Sequence, residues 1–420
     1  MNKKLDLIII SSYFLLVILG VISIYSNNFD SYKEIDFTNK LKFDNNYNKQ
    51  LLWILLCIII IITILLLDPK WFSISSNIVI YLSTIFLLIL VLYNGLSVSG
   101  SKSWINLGFC KLQPSELCKI STSLIISSIL TKYKYQLNNL KWILCFIIIS
   151  IPILLITLQG DIGSATTFLS FIIVLYREGL SIVYPIIGII LILSLLLVNI
   201  INSIQNILII IFFSIVIFTY ILRKNKKYYK NIIIGGIMLF ISILTANYIT
   251  YNILKPYQRS RITVLFNHNS KINLKNEAYN LNQSKIAIGS GRLFGKGFLK
   301  GTQTKYNFIP QQDTDFIFCT IAEQWGFIGS NLVIILYLVL ILRIIFLIEN
   351  QNSIFTRIYG YSFISILFIH IIINVGMTLG LIPVIGITLP YISYGGSSLV
   401  SFTIFLFILI RLISSKTCIS

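Results

Sequence analysis

Long apolar runs, separated by shorter polar connections, recur from one end of the chain to the other. Each run holds roughly 20 residues, the length that an α-helix needs to cross a bilayer. A transmembrane β-barrel would instead alternate apolar and polar residues. The pattern therefore predicts an all-α, polytopic transmembrane helix bundle of about 10–12 spans. The runs lie at 6–26, 51–67, 76–94, 115–131, 142–158, 162–177, 183–201, 205–222, 231–253, 323–348, 358–378 and 395–414.

The composition agrees with a membrane helix bundle. Of the 420 residues, 56% are hydrophobic and 11% are charged, and the mean hydropathy is +0.87. A soluble core does not need that much apolar surface. We see no linker between domains, so we expect a single membrane domain over residues 1–420. The first run directly follows Met1–Lys4 without a small-residue cleavage site, which predicts a retained helix.

Short connections rich in Lys and Arg predict the orientation of the bundle. They all fall on one side of the membrane if both termini are cytoplasmic. These basic connections are residues 3–4, 132–141, 223–230 and 411–416. The connections that then lie outside are residues 27–50, 95–114, 254–315 and 379–394.

Residues 254–315 are the longest polar interval, and we predict a large extracytoplasmic loop there. The interval contains ten Lys or Arg residues and three Asp or Glu residues. Long loops carry positive charge outside without changing the topology. The charge indicates an anionic partner at the outer surface, with Arg259, Arg261 and Lys285 as candidate contacts. The alternative is a solvated loop that is enriched in Lys through genome bias.

A charged pair opens the run at 115–131. Pro114 suits the first turn of a helix, where its missing N–H costs nothing. Glu116 and Lys119 are then at i and i+3 on one helix face. Charged residues at the mouth of a span are usually paired or functional. Two interpretations stay open: an ion pair that orients the helix, and a pair in which Lys119 also contacts a substrate phosphate.

Two glycine-containing turns near the predicted outer side are further candidates. Asp161 lies between glycines in Gln159–Ala165, and either a site or an exposed turn explains it. Residues 380–398 combine prolines, glycines and serines, including Ser397, before the last run. Backbone N–H groups of such a turn cradle an anion or a lipid headgroup. The alternative is that the glycines only let helices pack closely.

Asp313 and Asp315 end the long polar interval, next to an apolar run. Desolvation beside hydrocarbon favours the neutral form of a carboxylate, which suits a general base working near neutral pH. An Asp at the start of a helix is equally well explained as an N-cap, because it accepts from free N–H groups. The spacing alone does not distinguish the two.

Together these motifs resemble the SEDS family, the membrane proteins of cell shape, elongation, division and sporulation. The resemblance covers roughly residues 75–177 and 250–412. It is carried by Gln113–Glu116, Thr314–Phe318 and Ile392–Ser398. Gly301–Thr304 followed by Asn307–Pro310 resembles the elongation branch of the family more than the division branch.

The resemblance implies a peptidoglycan glycosyltransferase of the cytoplasmic (inner) membrane. Such an enzyme polymerises lipid II, a disaccharide-peptide on undecaprenyl diphosphate, for cell-wall elongation and cell shape. The implied partner is a class B penicillin-binding protein that cross-links the glycan, and no nucleic acid is expected. Asp315 matches the family's essential acid, and Glu116 and Lys119 match its charged pair.

The chain departs from the family pattern at Asp313, where the family usually has His. Two consequences stay open: Asp313 and Asp315 bind a divalent cation such as Mg²⁺ or Mn²⁺, or like-charge repulsion favours the protonated form of Asp315. Gln311 and Gly160 stand where the family usually has Glu and Pro. A predicted hairpin near 183–222 is additional to the family's spans.

Three other functions compete with this interpretation. A lipid II flippase would need ionisable residues deep in the spans, whereas the acids and bases here cluster at the predicted outer ends. A division-septum polymerase would perform the same chemistry elsewhere in the cell. A non-catalytic scaffold for a partner synthase fits the long loop but leaves the paired carboxylates unexplained.

Overall fold

The computed structural model divides into two compact units. The first comprises residues 1–179, 282–379 and 385–420, and the second comprises residues 180–281 and 380–384. The expectation of a single membrane domain stays a prediction. The structure describes residues 6–29, 46–72, 74–98, 100–106, 108, 111–133, 140–200, 226–253, 258–259, 261–262, 275–306 and 308–415.

Helices dominate both units. The helices are α1 (Leu7–Asn28), α2 (Asn46–Leu66), α3 (Ile74–Asn94), α4 (Pro114–Lys132), α5 (Leu140–Leu158), α6 (Ile162–Thr167), α7 (Phe171–Arg177), α8 (Val183–Ile200), α9 (Lys226–Tyr248), α10 (Lys275–Gly291), α11 (Thr302–Lys305), α12 (Ile317–Glu349), α13 (Ile354–Leu379) and α14 (Gly396–Ser414). Three short antiparallel strands, in the order β1-β2-β3, join α3 to α4. They are β1 (Leu96–Val98), β2 (Ser101–Asn106) and β3 (Lys111–Leu112).

The helices confirm the predicted polytopic membrane bundle. Within the described ranges, seven helices are long and apolar enough to cross a membrane: α1, α2, α3, α5, α12, α13 and α14. Each coincides with a predicted apolar run. The predicted span at 205–222 lies outside the described residues, so the total of about 10–12 stays a prediction.

Helix α4 lies inside the first unit and is more polar than its neighbours. It packs against α3, α5, α13 and α14. Its serines find partners across those contacts: Ser121 Oγ lies 2.7 Å from Thr84 Oγ1, and Asn77 donates to Ser128 Oγ at 2.7 Å. Buried polar groups of this kind need such partners. Helix α4 therefore tolerates serines and charges because it faces protein.

Glycines set the closest helix contacts. A Cβ on Gly396, the first residue of α14, would lie 1.9 Å from Trp53 Cε2 on α2. A Cβ on Gly20 of α1 would lie 2.6 Å from the Ile392 carbonyl oxygen. Only small residues allow elements to approach so closely. At Gly396 the structure therefore shows close helix packing, which is the alternative given above for the glycines of residues 380–398.

The connection from α10 to α11 packs against a kink in α12. The kink is at Gly326, with φ 67° and ψ −159°. A Cβ on Gly291 would lie 1.9 Å from the Ala322 carbonyl oxygen. Lys296 N donates to the Glu323 carbonyl at 2.9 Å, so this connection is bonded directly to the backbone of a spanning helix.

Part of the predicted loop at 254–315 is helical, and its extracytoplasmic location stays a prediction. Helix α10 buries Leu281, Ser284 and Ala287 at helical spacing, and Ser284 Oγ donates to the Thr378 carbonyl at 2.6 Å. The spacing of these small and apolar residues was the available signal. It is easily missed because the rest of the helix is polar.

In the second unit, α8 packs against α9. Ser194 Oγ of α8 donates to the Ser242 carbonyl of α9 at 3.1 Å. The Arg259 guanidinium lies 4.1 Å from the centre of the Tyr251 ring.

Candidate active site

Residues 313–315 form a turn just before α12, which we call the acid turn. Asp315 is partly exposed. A Cβ on Gly386, which has φ +72°, would lie 3.3 Å from Asp315 Oδ2. The N-cap position of α12 is Phe316. Neither acid therefore occupies the cap position, and the N-cap alternative is wrong.

Asp313 is held by asparagines at the end of α1 and the start of α2. Its Oδ1 accepts from Asn27 Nδ2 at 2.8 Å, and its Oδ2 accepts from Asn46 Nδ2 at 2.8 Å and from Asn28 Nδ2 at 3.4 Å. Amide N–H donors aimed at both oxygens suit an anion and disfavour a cation on the same oxygens. The donor set therefore does not fit a metal held by Asp313. Burial, together with the charge of Asp313, raises the pKa of Tyr394.

We expect Asp313→Asn to destabilise the protein. An asparagine offers one acceptor oxygen in place of two, and its NH₂ group would face an amide donor. An unsatisfied buried donor costs about 1–3 kcal/mol, so the thermal unfolding midpoint of the purified protein should fall. Asn350→Ala, at an exposed side chain bonded to its own helix, is the control and should leave the midpoint unchanged. An unchanged midpoint in Asp313→Asn, with activity lost on chelation, would favour a metal instead.

The Glu116–Lys119 pair is deeply buried and extends to a third ionisable group. Lys119 Nζ lies 2.6 Å from Glu116 Oε1 and 2.9 Å from His370 Nε2 of α13. Ser401 Oγ of α14 donates to Glu116 Oε2 at 3.2 Å. Glu116, Lys119 and His370 are 5%, 2% and 2% exposed. The pair thus ties α4 to α13 and α14, as the ion-pair interpretation predicts.

Residues 385–388, which we call the bridging segment, lie between these groups and the acid turn. His370 Nδ1 lies 3.2 Å from the Thr388 carbonyl oxygen. Since a carbonyl only accepts, Nδ1 carries the proton and Nε2 accepts from Lys119. Gly386 of the same segment lies against Asp315. His370, which is bonded to Lys119, and Asp315 of the acid turn therefore contact the same short segment.

Asp161 contacts the same region. It is the N-cap of α6 and accepts from Ser164 N at 3.0 Å and from Gln113 Nε2 at 2.9 Å. A Cβ on Gly163 would lie 2.5 Å from the Ile385 carbonyl oxygen. The structure therefore brings Asp161 close to the bridging segment and gives it a capping role in a turn.

A buried acid outside the predicted site organises the loop beside the acid turn. Glu323 accepts from Lys296 Nζ at 2.7 Å, from Gln303 N at 2.9 Å and from Thr304 N at 3.0 Å. Its side chain is fully buried. It satisfies the free N–H groups at the start of α11, so we assign it a structural role.

The remaining predicted site residues are spread more widely. Lys285 is exposed on α10, and Ser397 is buried in the first turn of α14. Arg259 and Arg261 belong to the second unit.

His370 and Asn374 of α13 were not predicted from the sequence. Both are polar residues within the run at 358–378, one helical turn apart and buried. Their place inside an apolar run was the available signal. Burying a polar group in a membrane span costs free energy, so such a group indicates a bonding partner or a functional site. Their partners lie on α4, in the acid turn and in the bridging segment, which spacing along the sequence does not indicate.

Comparison with known proteins places the fold and the family. The family model described as Cell cycle protein, of the FtsW, RodA and SpoVE proteins, matches residues 6–206 and 183–417. Peptidoglycan glycosyltransferase RodA of Treponema pallidum is 29% identical over 419 residues, 94% of this chain and 94% of that protein. Peptidoglycan glycosyltransferase MrdB of Escherichia coli is 31% identical over 322 residues, 76% of this chain and 73% of that protein.

Two solved structures share the fold. A chain from a peptidoglycan synthase complex that coordinates polymerization and crosslinking has a TM-score of 0.71 and 21% identity, covering 99% of each chain. The Rod shape determining protein RodA of Thermus thermophilus has a TM-score of 0.62 and 21% identity, covering 98% of this chain and 97% of that one.

Proposed function

The chain belongs to the FtsW, RodA and SpoVE family of cell cycle proteins and is a peptidoglycan glycosyltransferase, and we propose that Asp315 is the base of its reaction. Relatives named RodA and MrdB support a role in cell shape and elongation. The substrate is lipid II, which the enzyme polymerises into glycan strands. The observation that carries the assignment of Asp315 is the geometry of the acid turn. It places the partly exposed carboxylate of Asp315 against Gly386 of the bridging segment.

In the proposed reaction, Asp315 takes the proton from the hydroxyl of the acceptor sugar. The oxygen then attacks the anomeric carbon of the donor sugar, and the bond to the diphosphate breaks. Positive charge near the departing diphosphate stabilises it. Lys285 is exposed and is a candidate for that role, with Arg259 and Arg261 as further candidates. Lys119 is buried among protein partners, which favours support of the bridging segment over direct contact with phosphate.

The proposed partner is a class B penicillin-binding protein, which would cross-link the new glycan. The likeness to a chain of a synthase complex supports it. We place both termini in the cytoplasm and the acid turn outside the cytoplasmic membrane, on the distribution of Lys and Arg among short connections.

The test of the proposed function is polymerisation of purified lipid II by the purified protein, alone and with its transpeptidase partner. A polymerase should produce long glycan strands that lysozyme digests. A flippase would instead move fluorescent lipid II across vesicle membranes and leave it monomeric. Transport without polymer would overturn the proposal.

The topology predicts opposite labelling at two exposed positions, Lys300 and Asn350. Lys300 lies in the connection from α10 to α11, and Asn350 directly follows α12. Each is replaced by Cys in a Cys-free background. An impermeant maleimide should label Lys300→Cys in cells with a permeabilised outer envelope, and Asn350→Cys only after lysis. The reverse pattern would place the reaction on the wrong side of the membrane.

A further inference from the structure

Every backbone carbonyl of the acid turn accepts a hydrogen bond. The Asp313 carbonyl accepts from Tyr394 N at 2.8 Å, and the Thr314 carbonyl accepts from Ser393 Oγ at 2.5 Å. The Asp315 carbonyl accepts from Asn374 Nδ2 at 2.9 Å. Two of these donors belong to the stretch before α14, whereas Asn374 is a side chain of the spanning helix α13. The turn is therefore fixed from two elements.

Asn374 makes a second bond with the same NH₂ group. Its Nδ2 donates to the Ile387 carbonyl in the bridging segment at 2.7 Å. The side chain is fully buried. One primary amide thus joins the backbone of Asp315 to the backbone of the bridging segment, and its two hydrogens account for the two bonds.

The segment that Asn374 holds is the one that faces the carboxylate. Gly386 is the residue before Ile387, and its Cβ position lies 3.3 Å from Asp315 Oδ2. One helical turn before Asn374, His370 holds the next carbonyl, that of Thr388. Two side chains of α13 therefore fix consecutive carbonyls of the bridging segment, and only Asn374 also holds the acid turn.

We propose that Asn374 is a positioning residue for glycosyl transfer, which sets the carboxylate of Asp315 relative to the bridging segment. The inference rests on the proposed function, in which Asp315 is the base. An aspartate at this position has no hydrogens to donate, and an alanine has no polar group. Either change releases both carbonyls. A displacement of about 1 Å at a reacting group lowers the rate about 10²-fold.

The test compares Asn374→Ala and Asn374→Asp with the wild type in purified lipid II polymerisation, with rates expressed per folded molecule. We expect kcat to fall about 10²-fold while KM changes little, because the acid is misplaced and substrate contacts remain. Asn331→Ala is the matched control: its side chain is only partly buried and its amide is bonded to its own helix, so the change should be neutral. A kcat within twofold of wild type, or a loss confined to KM, would overturn the proposal.

Gly386→Ala tests the same geometry if the Asn374 variants do not fold. Its methyl group would crowd Asp315 Oδ2, and its left-handed φ would be strained. It should lower kcat in the same way, and a wild-type kcat in this variant would overturn the positioning role. Asp315→Asn is measured alongside. An active Asp315→Asn contradicts the proposed base, whereas an inactive Asp315→Asn with an active Asn374→Ala contradicts only the positioning role.

Discussion

Asp315→Asn should abolish glycan polymerisation while leaving the protein folded and abundant in membranes. The asparagine keeps the shape of the side chain, and the backbone carbonyl of residue 315 keeps its bond to Asn374. The side-chain amide of the asparagine, however, does not accept a proton at neutral pH. Because a positioned general base contributes about 10²–10⁴-fold, we expect at least about a 10²-fold loss in the rate of lipid II polymerisation.

Two measurements separate this loss from a structural defect. The thermal unfolding midpoint and the binding of the transpeptidase partner should both match the wild type. Asp313→Asn is the neighbouring control, since it should lower stability more than it lowers activity per folded molecule. If purified Asp315→Asn polymerises lipid II at a near wild-type rate, Asp315 is not the base.

Lys119→Met should be strongly destabilising. It leaves the Glu116 carboxylate buried without its cation, and breaking a buried ion pair costs about 3–5 kcal/mol. The hydrogen bond to His370 Nε2 is lost as well. We therefore expect low accumulation in membranes and a lower unfolding midpoint for whatever protein is recovered.

The double variant Glu116→Gln, Lys119→Met should recover much of that stability, because no charge is then buried alone. The lipid II polymerisation rate of the double variant then shows whether Lys119 has a role beyond its ion pair with Glu116. Recovery of stability together with activity would limit Lys119 to a structural role. Recovery of stability alone would show that the reaction needs its contact with His370 or with the substrate. A double variant as unstable as Lys119→Met would contradict the ion-pair account.

The helices and the charged pair were predictable because their signals are local. Apolar runs give the spanning helices directly, and the spacing of Glu116 and Lys119 predicts their contact. The motif around Asp315 placed the acid at the start of a span, although its N-cap alternative was excluded only by the structure. Helix α10 was missed because its buried stripe is narrow and mostly small residues.

The residues that hold the site in place could not be predicted in the same way. His370 and Asn374 stand out as polar residues in a span, but their partners are a lysine from α4, the Asp315 carbonyl before α12, and carbonyls of the segment between α13 and α14. Asp313 was a candidate metal ligand because two nearby carboxylates suit a cation. Its actual neighbours are three asparagines near the chain's start, and no pattern local to Asp313 indicates them.

The kink at Gly326 has a consequence for where chemistry occurs in the bilayer. The part of α12 from Gly326 to Glu349 holds about 24 residues, which rise about 36 Å and exceed the ~30 Å hydrocarbon core. The part before the kink is not needed to cross, so we expect the acid turn, which directly precedes α12, to lie at headgroup depth. A lipid-anchored sugar diffuses in two dimensions at that depth, which raises its effective concentration at the acid. A water-soluble analogue without the lipid tail lacks this gain and should be a poor acceptor.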